Sequence, residues 1–97
     1  LTNRMAFSAT NSFIQRMKMA PRAYIIGDKS GGGGGLPLSS EIPNGWLVQF
    51  SACPMYDADM NHTEWGINPD LKLDMDSTDM ANGYDTLIER AIDYITH

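Results

Sequence analysis

The apolar positions of the 97-residue chain change period several times, and those changes predict its elements. From Ala9 to Ala20 the residues Ala9, Phe13, Ile14, Met17 and Ala20 recur at helical spacing. Asn11, Gln15, Arg16 and Lys18 fill the other positions, so the spacing predicts a helix with one face on a core, stopped by Pro21. Residues 1–4 read as the end of a strand, and Ala23-Tyr24-Ile25-Ile26, closed by Gly27, as a buried strand. Strand, helix and strand in that order predict a right-handed crossover with parallel strands. Leu36–Ile42 and Trp46–Ser51 flank Pro43-Asn44-Gly45, a hairpin turn signal. Trp46, Val48 and Phe50 alternate with Leu47, Gln49 and Ser51, as in a strand with one better-buried face. Residues 57–68 are polar and loop-like, and Leu71 and Leu73 suit a short final strand. Tyr84, Leu87, Ile88, Ala91, Ile92 and Ile95 mark an amphipathic helix behind Gly83, with Asp85 as its cap. The class is α/β, and the chain is not expected to close on itself.

Five consecutive glycines, Gly31 to Gly35, interrupt the pattern. Such a run has no side chains to pack, so it is either a mobile loop or a place where something approaches the backbone closely. The net charge of −5, with seven scattered basic residues, argues against a nucleic-acid partner. The single cysteine, Cys53, cannot form an internal disulfide and is expected as a small buried hydrophobe. No charged-then-apolar leader and no long apolar span occurs in the sequence. Its opening on Leu-Thr-Asn-Arg suggests a piece of a longer protein, so membrane association is left open.

Several motifs fail on their own chemistry. Lys29-Ser30 lies beside glycines, but a phosphate-binding loop needs glycine directly before the lysine and a helix after it. Here Asp28 precedes, the glycines come after, and a strand-like segment follows. Asp57-Ala58-Asp59-Met60-Asn61 imitates the start of a calcium loop, yet His62 stands where glycine is required and Asn68 where a bidentate glutamate is required. His62 and His97 lack further ligands at metal-site spacing and read as surface residues. Asp74, Asp76 and Asp79 read as a solvated linker. No cofactor or metal is implied.

Ser8 remains, at the point where the strand-like opening turns into the first helix. Helix N-termini leave N–H groups unpaired and carry partial positive charge, so a serine there is an N-cap or a nucleophile beside an anion site. Small Ala9 follows it, leaving its N–H open to an oxyanion; a buried strand precedes it; a glycine-rich loop lies one crossover later. No base for such a nucleophile is evident within the chain.

Thr2-Asn3-Arg4, Phe7-Ser8-Ala9-Thr10-Asn11, Ala23-Tyr24-Ile25-Ile26-Gly27-Asp28, the glycine run and Gly66-Ile67-Asn68-Pro69-Asp70, in that order and spacing, resemble the serine peptidases of the C-terminal processing (tail-specific) family. That family includes the tricorn core protease and the interphotoreceptor retinoid-binding repeats. The resemblance covers nearly the whole chain. It implies a crotonase-like (ClpP-like) α/β spiral fold, with residues 1–97 as the C-terminal portion of a catalytic domain. It also implies peptide-bond hydrolysis through an acyl-enzyme, with Ser8 as nucleophile and the Ala9 N–H in the oxyanion hole. Gly31, Gly32, Gly33 and Gly34 would contact a polypeptide substrate, and the upstream part of the same protein would be the necessary partner. Family members cleave near exposed C-termini, and many are exported to the cell envelope, so a periplasmic or exported location is the expectation.

Two positions depart from the processing branch. Its lysine base would fall at Gly33; Lys29 lies four residues earlier and would serve only if the loop folded back. The tricorn-like arrangement, with an upstream histidine base supported by a glutamate before Gly-x-x-Pro-Asp, points to Glu64, although Thr63 occupies the expected place. The alternative to a peptidase is a non-catalytic peptide- or small-ligand-binding domain on the same fold.

Overall fold

Ser8 opens helix α1 (Ala9–Lys18), and the chain leaves it through Met19, whose N–H donates to the Arg16 carbonyl, and Ala20, whose N–H donates to the Met17 carbonyl, ahead of Pro21. The helix ends at Lys18, ahead of the Ala20 that the apolar spacing predicts. Its buried residues are Asn11 and Ile14, with Met17 half-buried, whereas Phe13 is exposed. The inward stripe is therefore rotated from the predicted one, and a residue assigned to the polar side lies at its centre. In the computed structural model, which spans residues 1–97, Ile14, Ile25 and Ile67 form the core, with Ala6 and Met17 packed against it. Each isoleucine buried there contributes roughly 1.5–3 kcal/mol of transfer free energy.

The expected buried strand shortens to β1 (Ile26–Gly27), because the Ile25 carbonyl turns away to accept the Asp70 and Leu71 amides. β1 is the centre of the parallel pairing. Thr2 bridges Gly27 on one side, and β4 (Leu71–Lys72) runs parallel to β1 on the other. A second parallel bridge, Phe7 to Gly32, follows after the chain has passed through Asp28 and Ser30. The parallel crossover expected around α1 is present.

β2 (Leu36–Glu41) and β3 (Leu47–Cys53) form the predicted antiparallel hairpin, with Gly45 at φ 84° in the turn. The expected better-buried face is absent: Trp46, Leu47, Val48 and Phe50 are all exposed, and so is Cys53 at the end of β3. Neither face of the hairpin is covered within this chain, which explains why cysteine burial failed as an expectation. The radius of gyration is 17.1 Å, against about 12.5 Å for a compact domain of this length.

The polar stretch after β3 is more ordered than its composition suggests. Tyr56 bridges His62, the Asp57 carboxylate accepts the Asp59 and Asn61 amides, and a single 3-10 turn spans Thr63–Trp65. The acidic linker contains a further helix, α2 (Ser77–Ala81), which Asp76 caps by accepting the Thr78 and Asp79 amides. Asp79 in turn accepts a hydrogen bond from the Thr86 hydroxyl. These carboxylates do structural capping rather than lining a solvated spacer. The last helix, α3 (Thr86–Thr96), is capped by Asp85 as expected. It lies against the β1 side of the sheet, where Tyr94 stacks on Tyr24 with ring centroids 4.6 Å apart. Most of its apolar face stays open, with Ile88, Ile92 and Ile95 exposed. No helix is long and apolar enough to cross a membrane.

Candidate active site

Ser8 adopts φ 60° and ψ −117°, a backbone conformation that L-residues rarely take. Holding it costs on the order of 1–3 kcal/mol and requires surrounding structure that over-determines it. That structure is present. The Ser8 N–H donates to the Gly32 carbonyl at 2.8 Å, the Ser8 carbonyl accepts the Ser12 amide, and Phe7 is pinned by its bridge to Gly32. Ser8 occupies the N-cap position, yet its side chain makes no capping hydrogen bond. A sharp strand-to-helix turn that lifts a serine hydroxyl clear of the backbone is the device that nucleophile elbows use. The N-cap reading of Ser8 is thereby set aside for its hydroxyl, although the residue still begins the helix.

The Ala9 N–H, at the first position of α1, has no acceptor within the chain. It is a free donor at the positive end of a ten-residue helix. Ser8 lines a cleft of about 350 Å³ together with Phe7, Gly33, Gly35, Pro37, Phe50 and Glu64. Gln49 and Ser51 complete its wall from β3. The structure thus gathers Ser8, Gly33 and Glu64, which lie far apart in the sequence, around one opening.

The glycine run resolves in favour of close approach, and what approaches is the protein itself. A Cβ on Gly32, which has φ 85°, would overlap the Glu64 carbonyl, and one on Gly33 would lie 2.7 Å from the Phe7 ring. The Gly33 N–H donates to the Glu64 carbonyl at 2.9 Å. Of the four glycines expected at the substrate, only Gly33 reaches the cleft; Gly35 joins it. Gly32 and Gly34 are buried, and Gly31 is tied through its N–H to the Ala6 carbonyl. The backbone contacts with Phe7, Thr63 and Glu64 are what the run of missing side chains permits.

Glu64 sits in the 3-10 turn that His62 caps, its N–H donating to His62 Nδ1 at 3.2 Å. One carboxylate oxygen lies over Gly35. Thr63, which occupies the place expected for the supporting glutamate, is fully buried and donates its hydroxyl to the Met55 carbonyl. Of these two neighbours, only Glu64 lines the cleft. Lys29 does not fold back toward Ser8. It lines a separate cavity with Lys18, His62, Trp65 and Asn68, so neither Lys29 nor His62 shares the Ser8 cleft. No group of three or more His, Cys, Asp or Glu is placed to hold a metal ion.

Behind the cleft lies a polar network that hydrophobic patterning misses. The Asn11 side chain is fully buried; its Nδ2 donates to the Thr63 carbonyl and its Oδ1 accepts from the Ser30 hydroxyl at 2.6 Å. Ser30 Oγ also accepts the Ile67 amide at 2.7 Å. The one signal in the sequence is that Asn11 precedes Ile14 by three positions and so shares its helical face. On the far side of the sheet, Asp28 bonds Lys72, the Lys29 amide and Arg4. These contacts, Lys72 foremost, hold the Asp28 carboxyl at a pKa of about 2.

A strained serine with an unengaged hydroxyl, a free N–H directly after it, and a carboxylate in the same cleft form an arrangement suited to acyl transfer. The comparison with known proteins agrees with that class. The family model for peptidase family S41 matches residues 1–73, and the chain belongs to that family. The crystal structure of a candidate peptidase from Parabacteroides merdae is 49% identical over 99% of this chain, with a TM-score of 0.94. Mature CPAF is 22% identical over 79% of the chain with a TM-score of 0.69. CPAF complexed with lactacystin is 21% identical over 82%, with a TM-score of 0.72. At those identities the CPAF structures speak to the fold alone. This chain spans 30% of the Parabacteroides protein and 15–16% of CPAF. No curated protein matched the chain.

Proposed function

We propose that this chain is the C-terminal part of a crotonase-like catalytic domain and that the full-length protein is a serine-type endopeptidase. The observation that carries the proposal is Ser8 itself: a strained turn, maintained by Gly32, presents a hydroxyl that caps nothing to a cleft shared with Glu64. In the reaction, Ser8 Oγ bonds to the scissile carbonyl carbon and its proton passes to a general base. The Ala9 N–H donates to the developing oxyanion, and collapse expels the amine, which takes up that proton. Water then hydrolyses the acyl-enzyme and regenerates Ser8. No histidine or lysine lines the Ser8 cleft, so the base is assigned to a histidine elsewhere in the full-length protein, with Glu64 as its support. The 97-residue chain by itself is accordingly inactive. The hairpin strands that wall the cleft would take an extended peptide by strand addition.

A fluorophosphonate probe on the full-length protein tests this. Labelling of Ser8 that disappears in Ser8→Ala, together with loss of casein cleavage, is the expected result. A folded protein that never reacts, or reacts equally well without Ser8, sinks the proposal. The absence of a base from the cleft wall favours one alternative, a non-catalytic peptide- or small-ligand-binding domain, which the same unreactive outcome would support.

A further inference from the structure

We infer that Asn11 is a positioning residue: its carboxamide sets the distance and orientation between Ser8 and Glu64 by clamping the two segments that flank the cleft. This rests on the peptidase reading above. Opposite the hairpin wall, three segments meet at the cleft: the Phe7–Ser8 turn with the helix α1 that it opens, the glycine run after Ser30, and the turn that carries Glu64. Asn11 touches the other two from the first. It lies three residues after Ser8 on α1, its Nδ2 donates to the carbonyl of Thr63 at 3.0 Å, immediately before Glu64, and its Oδ1 accepts from Ser30 at 2.6 Å, immediately before the glycines. Ser30 extends the clamp by accepting the Ile67 amide beyond the Glu64 turn.

The chemistry of the group explains the choice. A carboxamide carries a donor and an acceptor on one planar head, so Asn11 satisfies a carbonyl and a donating hydroxyl at once. Asn11, Ser30 and Thr63 are all buried, so an unmatched group there is left unsatisfied rather than hydrated. A buried asparagine beside an isoleucine core is an expensive way to fill space, and a leucine of similar size would pack the same face.

The experiment uses the full-length protein and compares wild type with Asn11→Asp, Ser30→Ala and Ser8→Ala. Thermal melting and circular dichroism define a temperature at which each is folded. Asn11→Asp removes the donor to Thr63 while its carboxyl is ionised and restores it when protonated, a change that burial moves toward neutral pH. Its two partners, a carbonyl and a hydroxyl, do not titrate. Glu64 and the general base titrate in the wild type as well and cancel in the ratio of variant to wild-type rate. The expected result at pH 8 is a fall in kcat of about 10- to 100-fold for misplacement of the reacting groups. KM should change far less, and the activity ratio should climb as pH is lowered. Ser30→Ala, which keeps the Thr63 contact, should lose less and show no recovery with pH. Folded variants with wild-type kcat, or an Asn11→Asp ratio that is flat with pH, overturn the inference. Should Asn11→Asp fail to fold, an unchanged kcat in Ser30→Ala overturns it and a reduced kcat with KM preserved supports it. Activity that survives Ser8→Ala sinks the peptidase reading. Activity that needs Ser8 but ignores Asn11 and Ser30 sinks the positioning role alone.

Discussion

The amide of Ser8 donates to the carbonyl of Gly32 across 24 positions of sequence, and this backbone bond ties the strained turn of the serine to the glycine run. The bond uses no side chain. It depends on the glycine run passing close enough to the Phe7–Ser8 backbone to bridge it, while also accepting the Glu64 turn from the other side. The candidate nucleophile and the carboxylate proposed to support its base are therefore both bonded through their backbones to the single peptide unit that joins Gly32 to Gly33.

Strain at Ser8 predicts a separation of stability from activity. Ser8→Gly takes φ 60° without a Cβ and should raise the unfolding free energy by about 1 kcal/mol. Ser8→Ala, which retains the Cβ, should leave it nearly unchanged. Both should abolish probe labelling in the full-length protein. Thermal or urea melts of the three forms check this, and a Ser8→Gly variant less stable than Ser8→Ala would contradict the strain.

Glu64→Gln keeps the size and the backbone contact with Gly33 but removes the charge. If Glu64 supports the base, kcat should fall by about a hundredfold or more, within the range of acid–base contributions. Melting temperature should stay close to wild type, since the side chain is only half-buried. Unchanged turnover would show that Glu64 does not support the base.

Two glycines with similar positive φ should respond differently to alanine. Gly45→Ala meets only the far end of Glu41, at 3.9 Å, so its cost is the backbone strain of about 1–2 kcal/mol. Gly32→Ala adds a collision with the Glu64 carbonyl to the same strain. It should destabilise by more than Gly45→Ala and also depress activity, because the Glu64 turn must move away from Ser8. Equal melting temperatures for the two variants would refute the packing account.

Asp28 predicts an acid limb in stability. Its carboxyl is lowered from 3.8 to about 2, chiefly by Lys72, with the Lys29 amide and Arg4 adding to it. The unfolded chain therefore binds the proton first as pH falls. The stabilisation is present above about pH 4 and is lost progressively as pH falls through 2. Asp57 and Asp76, lowered by backbone amides, act in the same direction. Asp28→Asn should lower the melting temperature at pH 5 and make much less difference at pH 2. A penalty equal at both pH values would show that the ion pairs are not responsible.

Much of this protein is written locally. The hairpin, its Gly45 turn, the Asp85 cap and the parallel crossover follow from neighbouring residues, because turn chemistry and helical period act over a few positions. Ser8 stood out for the same reason, at the junction of two periods. The order of motifs along the chain then carried the family, which local physics could not. Tertiary structure decided what depends on distant segments meeting. Asn11 is polar, and periodicity assigns it to the solvent side; it is buried because Thr63 and Ser30 arrive with matching groups. Cys53 and the apolar residues of β3 are exposed because no other part of this chain covers either face of the hairpin. The acidic linker holds a helix because Asp76 finds free amides to cap. The five glycines could have been a loose loop or a tight crossing, and the sequence allows both. The crossing with Phe7 and Glu64 decided between them, since a backbone without Cβ atoms can pass close to both.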